Sequence, residues 1–106
     1  MGNFNGRVKS TKLSGSGNDY TIIIEVEDSG HSVGSATVTL PVKANPNPVP
    51  CAHSGENAGV CRYTGSTKTT NPISGSSMQV TVKLFDKSGN LLLEVSINAT
   101  VETPSV

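Results

Sequence analysis

The sequence predicts an all-β fold: one antiparallel sandwich of five to seven strands with a single long proline-rich loop. Three observations predict it. Apolar residues recur at every second position over several separate runs, which is the period of a half-buried strand. Turn sequences rich in Gly, Asn, Asp and Ser separate those runs. Composition agrees, with 34% hydrophobic and 15% charged residues and a polar bulk of Ser, Thr, Asn and Gly rather than helix formers. The length of 106 residues fits one domain, residues 1–106, whose core is too small to be strongly stable without help.

In chain order, the first predicted strand spans residues 4–13, FNGRVKSTKL. It is polar and carries Arg7, Lys9 and Lys12, as suits a sheet edge. SGSGN, residues 14–18, is a flexible turn. DYTIIIEVE then alternates cleanly, with Tyr20, Ile22, Ile24 and Val26 on one face and Thr21, Ile23, Glu25 and Glu27 on the other. After DSGHS, the run VGSATVTLPV puts Ala36, Val38, Leu40 and Val42 on one face. Two alternating runs about a Gly-containing turn predict a hairpin. MQVTVKLF, DKSGN and LLLEVSINATV predict a second hairpin. Met78, Val80, Val82 and Leu84 face inward from its first arm, and Leu91, Leu93, Val95, Ile97, Ala99 and Val101 from its second. The spellings of the two hairpins echo each other, which the ordinary likeness of sandwich hairpins explains better than a duplication.

Residues 44–77 lie between the hairpins and hold the prolines at 46, 48, 50 and 72 but only three charged residues. Alternate residues from 45 to 50 lack an N–H donor, so this stretch is predicted to run extended in polyproline II style rather than as a central strand. RYTGSTKTT, residues 62–70, is a candidate short strand. An excursion of this length in a small domain points to a functional loop. ETPSV at the end reads as a tail or linker stub, residues 102–106.

The charge pattern excludes several function classes. Eight basic and eight acidic residues cancel, and no basic stripe exists to capture nucleic acid or an anionic membrane. No apolar run approaches membrane-spanning length. The start MGNFNGRVKS has no apolar signal core, consistent with an export signal already removed. It lacks the Ser or Thr at position 6 that myristoylation expects.

The stretch DYTIIIEVEDSGHSVGSATVTLPV, residues 19–42, resembles the closing hairpin of bacterial immunoglobulin-like modules of the PKD, HYR and Big kinds. Tyr20, Thr21, Asp28, Ser29, Gly30, Ala36, Val38 and Leu40 stand in the places that carry the resemblance. It covers about a quarter of the chain, and here the hairpin lies in the first half instead of closing the domain. The resemblance implies an immunoglobulin-like sandwich in an exported, tandem or appended module with adhesive, spacer or ligand-binding duty. It brings no catalytic residues.

Both cysteines lie in CAHSGENAGVC, residues 51–61. As zinc ligands, Cys51, His53 and Cys61 lack a fourth partner and the usual paired spacing; Glu56 or His31 would have to complete the set. The copper arrangement of two His, a Cys and a Met is not spaced as His31, His53 and Met78 are. A redox pair favours Cys-x-x-Cys at a helix start. A disulfide between Cys51 and Cys61 needs least, and it would stabilise by roughly 3 kcal/mol through closure of the loop. The expectation is a disulfide-pinned loop over residues 44–77, with no metal and no cofactor. His53, Glu56, Asn57, Arg62 and Tyr63 are its candidate ligand contacts.

No nucleophile elbow, metal-hydrolase motif or visible acid–base pair points to catalysis. Without Trp, Tyr63 is the best candidate for an exposed aromatic that could stack a sugar. Asn18, Asp19, Glu27 and Asp28 lack calcium-loop spacing, and Asp28 and Asp86 read better as turn-setting residues. Asn98-Ala99-Thr100 is a formal glycosylation sequon within a predicted strand. The expected function is a non-catalytic surface or spacer module, located extracellularly, at the cell surface or in the periplasm. It would bind protein or assemble through residues 45–77. A carbohydrate-binding module is one alternative. The other is a virion or surface-layer subunit that self-associates through sheet edges.

Overall fold

The computed structural model describes residues 4–102; the start at Met1-Gly2 and tail residues 103–106 lie outside them. The chain forms β1 (Arg7–Ser16), β2 (Asp19–Glu27), β3 (Val33–Thr39), β4 (Ala44–Asn45), β5 (Val49–Asn57), β6 (Val60–Thr69), β7 (Ser77–Asp86) and β8 (Leu91–Glu102). The all-β expectation holds, but the architecture is a closed, mixed barrel and not an antiparallel immunoglobulin-like sandwich. Seven strands make the ring in the order β1, β2, β6, β5, β3, β7, β8, and β4 is a two-residue addition to β6.

Two strands make the ring continuous. β5 pairs with β3 through Val49, Pro50 and Cys51, then with β6 through residues 52–57, so it bridges what would be two separate sheets. β1 pairs along its length with β2 and, in parallel, with β8 through Lys12, Leu13 and Ser14 opposite Thr100, Val101 and Glu102. The polar first strand is therefore paired on both sides at residues 12–14, with no β8 partner over residues 7–11, and its predicted bounds shift to Arg7–Ser16.

The predicted hairpin over residues 19–42 does not form. β2 pairs with β1 and β6, whereas β3 pairs with β5 and β7. The intervening turn explains why. Buried Asp28 accepts hydrogen bonds from the Ser32 N–H at 2.9 Å and the Val33 N–H at 3.0 Å, and its own N–H donates to Gly59 O at 3.0 Å. These bonds carry the chain across to the opposite wall. The second predicted hairpin is present as β7–β8, with Asp86 accepting from Ser88 N–H and Asn90 N–H in its turn. Asp28 and Asp86 thus set turns by bonding side chain to backbone.

Residues 44–77 are not a long loop. They supply β4, β5 and β6, and β6 forms a full-length ladder with β2. The proline stretch bends between β4 and β5 instead of running out extended. Asn47 holds the bend by imitating a strand. Its Oδ1 accepts from Leu40 N–H at 3.0 Å, and its Nδ2 donates to Leu40 O and Val42 O at 3.1 Å each.

The core runs along the barrel axis. Ile22, Ile24 and Val26 of β2 meet Val38 of β3, Val82 and Leu84 of β7 and Tyr63 of β6, all fully buried. Alternation correctly assigns the inward faces of β2, β3 and β7. On β8 it assigns the inward face correctly from Leu93 to Val101, and Ala99 and Val101 are buried outright. Leu93, Val95 and Ile97 stay half-buried and Leu91 is 52% exposed.

Candidate functional site

The β5–β6 hairpin brings together a cluster of potentially metal-binding side chains. Its turn places Ala58 and Gly59 both at positive φ, 53° and 81°, which joins two twisted strands through a two-residue connection. A bulge at Ser54 then adds one residue to β5. Ser54 turns away and bonds to Arg62 O at 3.2 Å and Thr64 Oγ1 at 2.8 Å. The bulge brings His53 and Glu56 into register with neighbours on β6, so that His53 lies opposite Tyr63 and Glu56 opposite Cys61. Directly opposed residues share a face.

The side chains converge accordingly. The ligand atoms of His53, Glu56 and Cys61 all lie within 4.8 Å of one another. The His53 ring stands edge-on to Tyr63, with centroids 5.4 Å apart and planes at 79°. From the turn that Asp28 organises, His31 at φ 54° reaches across to place Nε2 2.8 Å from both carboxylate oxygens of Glu56. The cluster grades from the buried Cys61 thiol to a His31 side chain that is 57% exposed. Burial, then the charges of Glu56 and Asp28, push the Cys61 thiol pKa up.

The expected disulfide is absent: Cys51 and Cys61 are both free and buried. The register explains it. Cys61 sits opposite Glu56, whereas the Cys51 sulfur packs over Gly65, four residues further along β6. At about 3.3 Å per residue that offset is roughly 13 Å, and a bridge requires Cα atoms within about 7 Å.

No protein-family model matches the chain, and no curated protein matches it. The functional reading therefore rests on geometry.

The remaining sequence candidates are dispersed. Asn57 is exposed at the start of the hairpin turn. Arg62 faces outward and pairs with Glu25 at 3.5 Å. Tyr63 is 1% exposed and donates its hydroxyl to Val33 O at 3.2 Å, so its ring is not offered for stacking. Burial, chiefly, pushes its pKa up to about 12. The four calcium candidates are each occupied otherwise: Asn18 with Thr70 O, Asp19 with Lys68, Glu27 with Arg7, and Asp28 with backbone. Sequence reasoning did not place His31 beside Glu56. DSGHS reads as a turn, and nothing local reveals a partner 25 residues away. A concavity of about 930 Å³ lies at the other end of the barrel against residues 40–45, Asn47 and residues 68–70, remote from this cluster.

A second feature is the outer edge of β8. The parallel pairing with β1 is only three residue pairs long, so residues 91–98 have no ladder partner on that side among the described residues. This open stretch holds Leu91, Leu92, Leu93, Val95 and Ile97, with Glu94 its one charge.

Proposed function

We propose that the protein is a non-catalytic assembly module that associates with a second copy of itself through the β8 edge. The observation that carries this reading is the unpaired, apolar stretch over residues 91–98, with Leu91 at 52% exposure. A long edge of this kind is a template for strand addition, and proteins that do not use such an edge usually block it with Pro, Lys or a bulge. Here Glu94 is the one blocking charge.

A second copy is the occupant the chemistry favours. Antiparallel pairing of β8 with its own counterpart about a two-fold axis satisfies both edges in one interface. Zero net charge leaves no long-range repulsion between copies.

Sedimentation equilibrium over a wide concentration range tests the proposal. The wild type reaches dimer mass as concentration rises, and Leu91→Lys, at the exposed apolar side chain of the stretch, stays monomeric with an unchanged circular dichroism spectrum. A wild type that stays monomeric up to its solubility limit would overturn it.

A further inference from the structure

We propose that His53, Glu56 and Cys61 form a binding site for a divalent metal of the zinc class, with His31 as the outer partner that orients the Glu56 carboxylate. The site is separate from the β8 edge and does not depend on how copies associate.

The donor set selects the metal. One thiolate, one imidazole and one carboxylate suit zinc or cobalt; calcium and magnesium prefer oxygen donors throughout. The thiolate and the carboxylate together balance a doubly charged cation. Three protein ligands on a tetrahedral ion leave the fourth position to solvent.

The geometry requires little movement. Metal–ligand bonds of about 2.0–2.3 Å set tetrahedral donors roughly 3.5 Å apart. The donors here already lie within 4.8 Å. Closing the difference takes rotation of the His53 and Glu56 side chains, both at the surface, over a fixed Cys61. The hairpin register holds the backbone in place, because the Ser54 bulge is pinned to Arg62 O and Thr64. With one Glu56 oxygen on the metal, the other still accepts from His31 Nε2, now 2.8 Å from both. A carboxylate held in this way by an imidazole is a common outer arrangement at metal sites.

The test uses the untagged full chain, stripped with a chelator. Zinc is titrated against a chromophoric competitor, and cobalt(II) is followed by its absorption spectrum. The expected result is one zinc per chain, with a thiolate-to-cobalt charge-transfer band that vanishes in Cys61→Ser. His53→Ala and Glu56→Gln each weaken zinc binding at least tenfold, and His31→Ala weakens it by about tenfold or more. Cys51→Ser keeps full affinity. Because Cys61 is buried and its variant can fail to fold, the surface variants His53→Ala and Glu56→Gln decide the matter alone. Zinc affinity unchanged in both, or a cobalt spectrum without the thiolate band, would overturn the site.

Discussion

The hydroxyl of Tyr20 accepts the backbone N–H of Ile73 across 3.0 Å inside the core. Tyr20 is 2% exposed and Ile73 8% exposed, so no solvent replaces this bond if it is lost. It ties the connection between β6 and β7 to the start of β2. Tyr20→Phe keeps the ring and removes the acceptor, leaving a buried donor unsatisfied. The expected cost is about 1–3 kcal/mol. Urea denaturation reads it as a lower midpoint with an unchanged slope. A variant as stable as the wild type contradicts the bond.

Gly65 marks where β5 crosses β6. A Cβ there would collide with the Pro50 carbonyl oxygen and come within 2.9 Å of Cys51 Sγ, whereas one at Gly55 meets nothing within 4 Å. Gly65→Ala should destabilise by about 1–3 kcal/mol, in the range of overpacked cores. Gly55→Ala should stay within roughly 0.5 kcal/mol of the wild type. Thermal melts of the pair give the contrast, and equal melting temperatures would contradict the crossing.

The period-two pattern was legible in the sequence, but the pairing was not. Alternation says which face of a strand is apolar and nothing about which strand lies alongside. Ile22, Ile24, Val38 and Val82 were therefore placed correctly inward, while β2 and β3 were wrongly joined as a hairpin. β6 was harder to see because its inward row is Cys61, Tyr63, Gly65, Thr67 and Thr69. The two threonines are buried because Thr67 Oγ1 donates to Pro46 O and Thr69 Oγ1 to Asn71 O, both at 2.6 Å. Those partners are set by tertiary structure. Pro50 similarly argued against a strand, yet it lies in β5 opposite Thr37. One local signal existed: Asn57-Ala58-Gly59 is compatible with a tight hairpin turn. Of the candidate site, His53, Glu56 and Cys61 stood close in sequence, but the bulge that aligns them and the reach of His31 are products of the fold.

The thiols give a direct check on the corrected cysteine chemistry. Burial pushes the Cys51 pKa up to about 12, so the thiol stays protonated at neutral pH. Both cysteines should react slowly with a thiol reagent in the native protein and rapidly in denaturant. Reductant should leave the melting temperature unchanged. An intact mass short by two hydrogens would contradict the free-thiol state.

Acid stability should depend on Asp86. Its carboxylate accepts from the Asn90 N–H at 2.8 Å and the Ser88 N–H at 2.9 Å, and the Asn90 bond above all lowers its pKa below the ordinary 3.8. A lowered folded pKa contributes stability that is complete above the unfolded value and is lost as pH falls through the folded one. Asp86→Asn should therefore be less stable than the wild type at neutral pH, and the gap should close below pH 3.8. Chemical denaturation across that window measures it. A gap that widens in acid contradicts the assignment.

The open β8 edge is the claim on which the functional account turns, and deuterium uptake measured at several protein concentrations tests it most directly. The account predicts that uptake in residues 91–98 falls as concentration rises, while the neighbouring turn over residues 86–90 is unaffected. Uptake in β8 that is independent of concentration would contradict it.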